Sequence, residues 1–529
     1  MLLPGERLFN RDTVRLLLAP ALVFIVACLD RGYQTELWQH LARGRLVWEE
    51  GAVVSVDRFT FTVPGQPLRD NNWLSQLAYF GLHSLGGLEL VQAVNAAALA
   101  AAVGALVALC RRASASTGVA GAVGAVAFLG LWQTLLIRPQ SFSMLLFVAL
   151  YALLLEAKGR PRLLVLAPAV MALWANVHGG FAVGLALLLA FTASAAWQRV
   201  REGPSAGPFR PWAACLLAGI GATLLNPYGP GVYGYAGSLS ALGVARGIEE
   251  WLPPSVGTLV GGVFFASIVV VGLVAVRCRR QVTALDLCLL GGFVVPACLS
   301  VRMTVWWFLA AAPVAARLAG SMLAERAAAL PNTSEAAAGR RFSAPAAVAV
   351  VPLLTICVSS MPWLERWNPV FGAARSPRRV ETDVETMAAA LPATAPDDAR
   401  VFARMEWANY LAWRSAGRTP VFVEGHVELY PDDTWSEYVT VNDARPGWQA
   451  VLDRRGVRFL LLDQTYHAAL LSEVRESAQW SARGGAGPAL LFERRAPLPV
   501  APAEPSGIAG TDPGAGAIGE QSAGAGTDF

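Results

Sequence analysis

Between the first two apolar stretches of the chain lies a polar segment, Asp30 to Gln76, that carries acids, arginines, a histidine and tryptophans. Within it, Glu36-Leu37-Trp38-Gln39-His40-Leu41 sets a carboxylate and an imidazole four residues apart. That spacing puts both on one face of a helix, with Trp38 and Leu41 offset toward a membrane surface. An acid and a base could then address one cavity; the competing reading is an interfacial amphipathic helix whose polar face meets water. Asp57 precedes Arg58-Phe59-Thr60-Phe61-Thr62, an alternating, strand-like run, and is either a second working carboxylate or a turn residue. Asp70-Asn71-Asn72-Trp73 offers Asp70 or Asn71 as the N-cap of the helix that follows. Connections between membrane helices need only a few residues, so a polar segment of this length reads as a built site.

Further polar residues stand at helix ends on the same side. Arg138, Arg246 and Arg302 present guanidinium forks suited to a phosphate, or they snorkel or pair with Glu249 and Glu250. Asn176 and His178 fall at a break between apolar segments, an interruption tolerated where backbone lines protein or a cavity. Glu250-Trp251 could hold a sugar by carboxylate and ring, or anchor its loop at the interface. Asn226-Pro227-Tyr228-Gly229 reads as a helix terminator and turn. If Glu36, Asp57 and Glu250 converge, their oxygens would suit a divalent cation, Mg or Mn; spacing alone assigns no metal. The seven cysteines form no CxxC pair, so neither a disulfide framework nor a zinc site is expected.

The elements that must position these residues follow from composition. Of 529 residues, 55% are hydrophobic and only 15% charged, with a mean hydropathy of +0.45, too little polar surface for a soluble domain. The sequence predicts a mainly α, polytopic helical membrane protein. Apolar runs at 14–29, 88–110, 118–137, 139–156, 163–176, 180–197, 211–226, 256–276, 284–300, 303–320 and 344–361 give eleven candidate spans. The first is expected to stay as a signal anchor, and the pair at 163–176 and 180–197 is either two helices or one broken one. Arginines cluster in alternate connections, from Arg7 and Arg11 to Arg340 and Arg341, which puts the N-terminus in the cytoplasm and the region after 361 outside. The net charge of +4 is spread over these loops, and nucleic acid is not an expected partner.

The expected organisation is a transmembrane domain over 1–361 with a large first external loop at 30–72, an extracytoplasmic α/β domain over 362–497, and a disordered Ala/Gly/Pro-rich tail over 498–529. In the α/β domain, Val421-Phe422-Val423 and Arg458–Leu462 read as strands, and Glu381–Leu391 and Arg404–Arg414 as helices. Glu424-Gly425-His426 reads as a turn after a buried strand, expected to cap the membrane cavity or bind an acceptor glycan.

Taken in order, Glu36-Leu37-Trp38-Gln39-His40-Leu41, Asp57-Arg58-Phe59-Thr60-Phe61-Thr62 and the Trp73-Leu74 start of the second helix resemble the first external loop of bacterial polytopic membrane proteins related to GT-C-class, family-39-like glycosyltransferases. Ile137-Arg138-Pro139-Gln140, Leu173–Gly180, Leu225–Gly229, Glu249–Pro254 and Val421–His426 fit the same group, so the resemblance spans most of 14–495. It implies a GT-C-like fold in the bacterial inner (plasma) membrane that uses a polyprenyl-phosphate sugar at the outer surface and transfers it to a glycan, lipid or protein acceptor. It also implies that an acid in the first external loop activates the acceptor. The group's pattern has Asp-x-Asp before Leu-Trp, where this chain has Gln34-Thr35-Glu36.

Such a transfer needs a base for the acceptor hydroxyl and cations to hold the departing phosphate. Glu36 is the first choice of base and Asp57 the second; Asp30, His40, Arg138, Asn176, His178, Arg246, Glu250, Trp251 and Arg302 are the expected substrate-binding residues. Two other readings stand beside it. A lipid or solute transporter would carry ionisable residues near mid-membrane, whereas the spans here are largely apolar, with Asn95 and Asp286 the main exceptions. A non-catalytic component of envelope polysaccharide assembly would keep the fold without the acid pair.

Overall fold

The computed structural model describes residues 10–29, 35–203, 207, 209–246, 248–328, 343–370, 388, 391 and 399–495. Asp30, the tail over 498–529 and nearly all of the helix expected over 381–391 lie outside them. Each of the eleven apolar runs is helical. In chain order the helices are α1 (Arg11–Leu29), α2 (Thr35–Glu50), α3 (Trp73–Ser114), α4 (Thr117–Gly130), α5 (Gln140–Ala157), α6 (Ala167–Val177), α7 (Phe181–Glu202), α8 (Arg210–Thr223), α9 (Gly231–Ala245), α10 (Leu259–Arg277), α11 (Ala284–Leu299), α12 (Thr304–Ala328) and α13 (Ala344–Ser359). Among the described residues, α1, α3, α5, α7, α10 and α12 are long and apolar enough to cross a bilayer; α4, α6 with the turn before it, α11 and α13 are shorter apolar helices.

Three features sharpen or extend the sequence reading. The second helix enters at Trp73, as expected, and runs on through the apolar stretch at 88–110 across a kink at Gly86-Gly87; Gly87 has φ +67, a conformation glycine takes without a Cβ penalty. The pair at 163–176 and 180–197 is two helices, since His178 is extended at φ −167 and ends α6. Helix α9 falls outside the eleven expected runs.

Two main polar exceptions within the apolar runs have local duties. Asp286 sits at the start of α11 in a capping box with Thr283 and pairs with Arg317 of α12. Asn95 donates to the Leu136 carbonyl at 3.0 Å and accepts from the Tyr79 hydroxyl at 3.3 Å. It thereby partners a carbonyl left over where the chain breaks between α4 and α5, as buried backbone groups require.

The C-terminal region adds β1 (Val401–Ala403), α14 (Met405–Arg414), α15 (Asp432–Asn442), α16 (Trp448–Arg454), β2 (Phe459–Asp463), α17 (Ala468–Glu476), β3 (Trp480–Ala486) and β4 (Ala489–Arg494). The sheet order is β1-β2-β4-β3, with β1 parallel to β2 and the β3-β4 hairpin antiparallel. All five residues of β2 are buried, as its continuous apolar run requires. Val421 bridges to Val401 on one side and to Thr60 on the other, so the runs at 58–62 and 421–423 form isolated bridges rather than full strands. Through them the first loop is stitched to the sheet: Phe61 N–H donates to the Val421 carbonyl at 3.1 Å and Val421 N–H to the Phe59 carbonyl at 3.0 Å.

Helix α2 packs between the first turns of α3 and the face of α14. Trp38 meets Tyr410 edge-on with ring centroids 5.0 Å apart, and Arg45 stacks on Trp413 at 3.8 Å. Leu37, Trp38, Leu41 and Phe59 of the loop share one apolar core with Val401, Trp407, Leu411 and Val421. Burying both apolar sides of α2 leaves only its polar stripe to face a site.

Candidate functional site

Along that stripe stand Glu36, His40 and Arg43, at helical spacing 0, 4 and 7. Glu36, at the start of α2, is 34% exposed and its Oε2 lies 3.3 Å from Arg138 Nε. Arg138, just before α5, also donates Nη1 to Glu250 Oε2 at 3.0 Å, and Arg302 donates Nη1 to Glu250 Oε1 at 2.8 Å. Glu36, Arg138, Glu250 and Arg302 therefore form one alternating chain of charge, each side chain a quarter to a third exposed. Arg302 also lies over the Trp251 ring at 5.0 Å, and that ring occupies the space a Cβ on Gly243 of α9 would need.

Burial pushes the Glu36 carboxyl up, but Arg138, His40, Arg302 and His178 together outweigh it and hold the group below the ordinary glutamate value. It is ionised at neutral pH. His40 is buried, and that burial, opposed by Glu36 and Asp70, pushes its imidazole down to about 4. A neutral imidazole thus stands one turn from an ionised, partly exposed carboxylate, an arrangement able to accept a proton from a hydroxyl that reaches it. His178 bears on the same electrostatics, but its Nδ1 accepts from Gly180 N–H at 3.0 Å and faces the Ser143 hydroxyl at 2.9 Å. It closes the α6–α7 turn.

Four expected site residues have other duties. Asp57 turns its carboxylate onto its own loop, accepting from Phe59 N–H at 3.3 Å, Thr60 N–H at 3.0 Å and the Thr60 hydroxyl at 2.7 Å; with 3% exposure it is the turn residue of that loop. Asn176 accepts from the Trp73 indole at 3.0 Å and donates to the Ala172 and Leu225 carbonyls, both at 2.8 Å, a strut between α3, α6 and the end of α8. Arg246 donates to the Val427 carbonyl and, at 2.6 Å, to the Tyr430 carbonyl, and lies over Trp435 at 4.7 Å. It clamps the end of α9 to the C-terminal region instead of facing a phosphate. Trp251 is stacked within the protein as described above.

Glu36 and Glu250 meet only across Arg138, and Asp57 lies apart on its own loop. The convergence of three carboxylates that a divalent ion would need is absent; among the described residues no three Asp, Glu, His or Cys side chains are gathered to hold a metal.

The sequence reading missed a second layer under the site. Arg43, wholly buried, donates Nη2 to Glu424 at 2.7 Å and lies 4.0 Å from Asp70. Asp70 accepts from Gln76 Nε2 at 2.6 Å and pairs with His426 Nε2 at 3.2 Å, and His426 Nδ1 lies 3.5 Å from Glu424. Asp70 does not cap α3 as expected; its Oδ1 accepts from Asn72 N–H at 2.9 Å, and Asn72, the N-cap residue, makes no side-chain cap bond. The Tyr228 hydroxyl receives Asp70 N–H at 2.9 Å, fixing the segment from above. Burial pushes the Asp70 carboxyl up, yet His426, Arg43 and Gln76 hold it well below the usual range. The signal for Arg43 was present: extending the Glu36–His40 face by three residues reaches it.

With this geometry in view, solved structures give the class of fold. The archaeal oligosaccharyltransferase AglB from Archaeoglobus fulgidus, in complex with an inhibitory peptide and a dolichol-phosphate, superposes with a TM-score of 0.54 at 11% identity, covering 91% of this chain and 74% of its own. The Archaeoglobus fulgidus oligosaccharyltransferase in its apo form gives 0.52 at 12% identity, over 87% and 71%. ArnT from Cupriavidus metallidurans bound to undecaprenyl phosphate gives 0.48 at 13% identity, over 90% and 97%. No family model and no curated protein sequence matches the chain. The fold is that of a helical, GT-C-like membrane protein with a small C-terminal sheet region.

Proposed function

We propose that the protein is an integral membrane glycosyltransferase that moves a sugar from a polyprenyl-phosphate donor to a glycan, lipid or protein acceptor at the external face of the bacterial inner membrane. The observation that carries the proposal is Glu36: a carboxylate, 34% exposed, held below its ordinary pKa beside Arg138, which Glu250 links to Arg302. Glu36 takes the acceptor hydroxyl's proton as that oxygen bonds to the anomeric carbon, and the carbon–oxygen bond to phosphate breaks with its electron pair going to the phosphate. Arg138 and Arg302, held by Glu250, receive that charge. The AglB structure contains a dolichol-phosphate, and the same lipid class is assigned here as donor. The N-terminus is cytoplasmic, residues 1–361 form the membrane domain, and 362–497 lie outside with the 498–529 tail.

One observation favours the non-catalytic alternative: Glu36 and Glu250 together match the charge of Arg138 and Arg302, so a phosphate must displace an existing partner. Transfer of labelled sugar from a panel of polyprenyl-phosphate donors by the full chain in lipid nanodiscs tests the proposal. Turnover with any donor is the expected result. Absence of turnover across the panel, with the protein folded and an envelope glycan phenotype on deletion, establishes the non-catalytic role instead.

A further inference from the structure

The chemistry proposed above leaves one assembly of buried charge unused. Arg43, Asp70, Glu424 and His426 are all sealed from solvent and come from three separate places: α2, the segment before α3, and the turn after Val423. Two cations and two anions alternate. Arg43 hydrogen-bonds through Nη2 to Glu424, while its Nε and Nη1 have no hydrogen-bond partner among the described residues, so the cluster is held chiefly by charge. Sealed ion clusters of this kind often add little stability over apolar residues of the same volume, and fixing a register between elements is their best-attested use.

The connections show which register is fixed. From His426 Nε2 the path runs 3.2 Å to Asp70 Oδ2, 2.6 Å on to Gln76 Nε2, and 3.3 Å to His40 Nδ1, one helical turn from Glu36. The backbone is gripped on both sides of α2. A Cβ on Gly425 would collide with the Gln39 amide, and a Cβ on Gly44 with the Gln76 carbonyl. Gly425 N–H is itself held by Asn409 Oδ1 of α14 at 2.8 Å, and Glu424 N–H by the Tyr430 hydroxyl at 2.7 Å.

We infer that the Glu424-Gly425-His426 turn is the positioning element of the Glu36 site, with His426 acting through Asp70 and Gln76 on His40, and with Glu424 acting through Arg43 on α2. The inference rests on Glu36 being the base of the proposed transfer. None of these residues touches substrate; they set where the carboxylate stands relative to Arg138. A displacement of about 1 Å at such a group lowers turnover on the order of 100-fold, so a turn 388 residues downstream of Glu36 in the sequence governs the reaction without taking part in it.

The test uses the full chain in nanodiscs, as wild type, His426→Ala, His426→Gln and Glu424→Gln, with two readouts: amide hydrogen exchange and the separation of kcat from KM. His426→Ala is expected to speed exchange across residues 35–50 at least tenfold while β2 stays protected, and to lower kcat by about 100-fold at unchanged donor KM. His426→Gln, which keeps an N–H toward Asp70, recovers part of both. Unchanged exchange over 35–50 in His426→Ala overturns the inference whatever the turnover. If His426→Ala loses protection in β2 as well, the near-isosteric Glu424→Gln decides: loosening confined to 35–50 supports the inference, and none overturns it. If wild type transfers no sugar yet 35–50 loosens as expected, the positioning of α2 stands and it is the transferase reading that fails.

Discussion

Replacing Arg43 by methionine removes one member of a sealed four-charge cluster. Arg43 is wholly buried, bonded to Glu424 at 2.7 Å and 4.0 Å from Asp70. Without it, Glu424 and Asp70 share His426 alone, at 3.5 and 3.2 Å, and one negative charge is left unmatched in a buried setting. Breaking a buried pair in this way costs about 3–5 kcal/mol. Because the charges join the first loop to the C-terminal region, the loss should appear as partial opening of that contact. Pulse proteolysis of the full chain in detergent, scored on cleavage within 399–495, reads the opening equilibrium, which should rise by roughly two to three and a half decades. Adding Glu424→Gln to Arg43→Met leaves Asp70 and His426 as a matched pair and should restore more than half of the loss. A single-variant effect below about 1 kcal/mol, within the range of an exposed pair, or a double variant no better than the single, would refute the account of this cluster.

Other expectations follow from the same geometry. His40 is pushed down to about 4 from an unfolded value near 6.5. Its contribution to stability is therefore complete above about pH 6.5 and is lost as pH falls toward 4, at up to about 1.4 kcal/mol per unit; thermal unfolding against pH should show that acid limb, and His40→Asn should flatten it. The His426 imidazole is pushed down by burial and Arg43, but Glu424, Asp70 and Glu428 outweigh them and hold it above the ordinary value. Its contribution is complete below about pH 6.5 and is lost as pH rises through the folded-state value, so His426→Gln should remove an alkaline limb from the same titration. Gly44→Ala should be more damaging than Gly425→Ala, about 1–3 kcal/mol of overpacking, because the first meets a backbone carbonyl and the second the end of a flexible amide; chemical denaturation compares them. Glu250→Gln, in a site a quarter to a third exposed, should change stability by less than about 1 kcal/mol yet raise the donor KM several-fold as Arg138 and Arg302 lose their common anchor.

The sequence carried a good deal of this. Apolar runs located the membrane helices because a span must satisfy its backbone internally and shows little else, and the helical spacing of Glu36 and His40 was enough to put them on one face. The pairing of Glu250 with Arg138 and Arg302 was also foreseeable from their positions at helix ends. What the sequence did not show is tertiary. Arg43 continues the Glu36–His40 face and Glu424 belongs to a polar turn after a buried strand, but the two are 381 residues apart and nothing local joins them. Asp57 takes the turn role that was one of its two readings, while Asp70, read with Asn71 as a candidate N-cap, is drawn into the buried cluster, because a carboxylate's role depends on which donors the fold brings to it. Arg246, read as a phosphate ligand or as a snorkelling or Glu249/Glu250-paired side chain, donates instead to the carbonyls of Val427 and Tyr430, partners that lie far along the chain.

The most direct test is the turnover of Glu36→Gln and Asp57→Asn beside wild type, each folded in nanodiscs and supplied with the same polyprenyl-phosphate sugar and acceptor. The account predicts that Glu36→Gln loses sugar transfer by a factor of about 100 or more while Asp57→Asn, judged per folded molecule, keeps most of it. Full transfer by Glu36→Gln, or its abolition in folded Asp57→Asn alone, would contradict the assignment of Glu36 as the base.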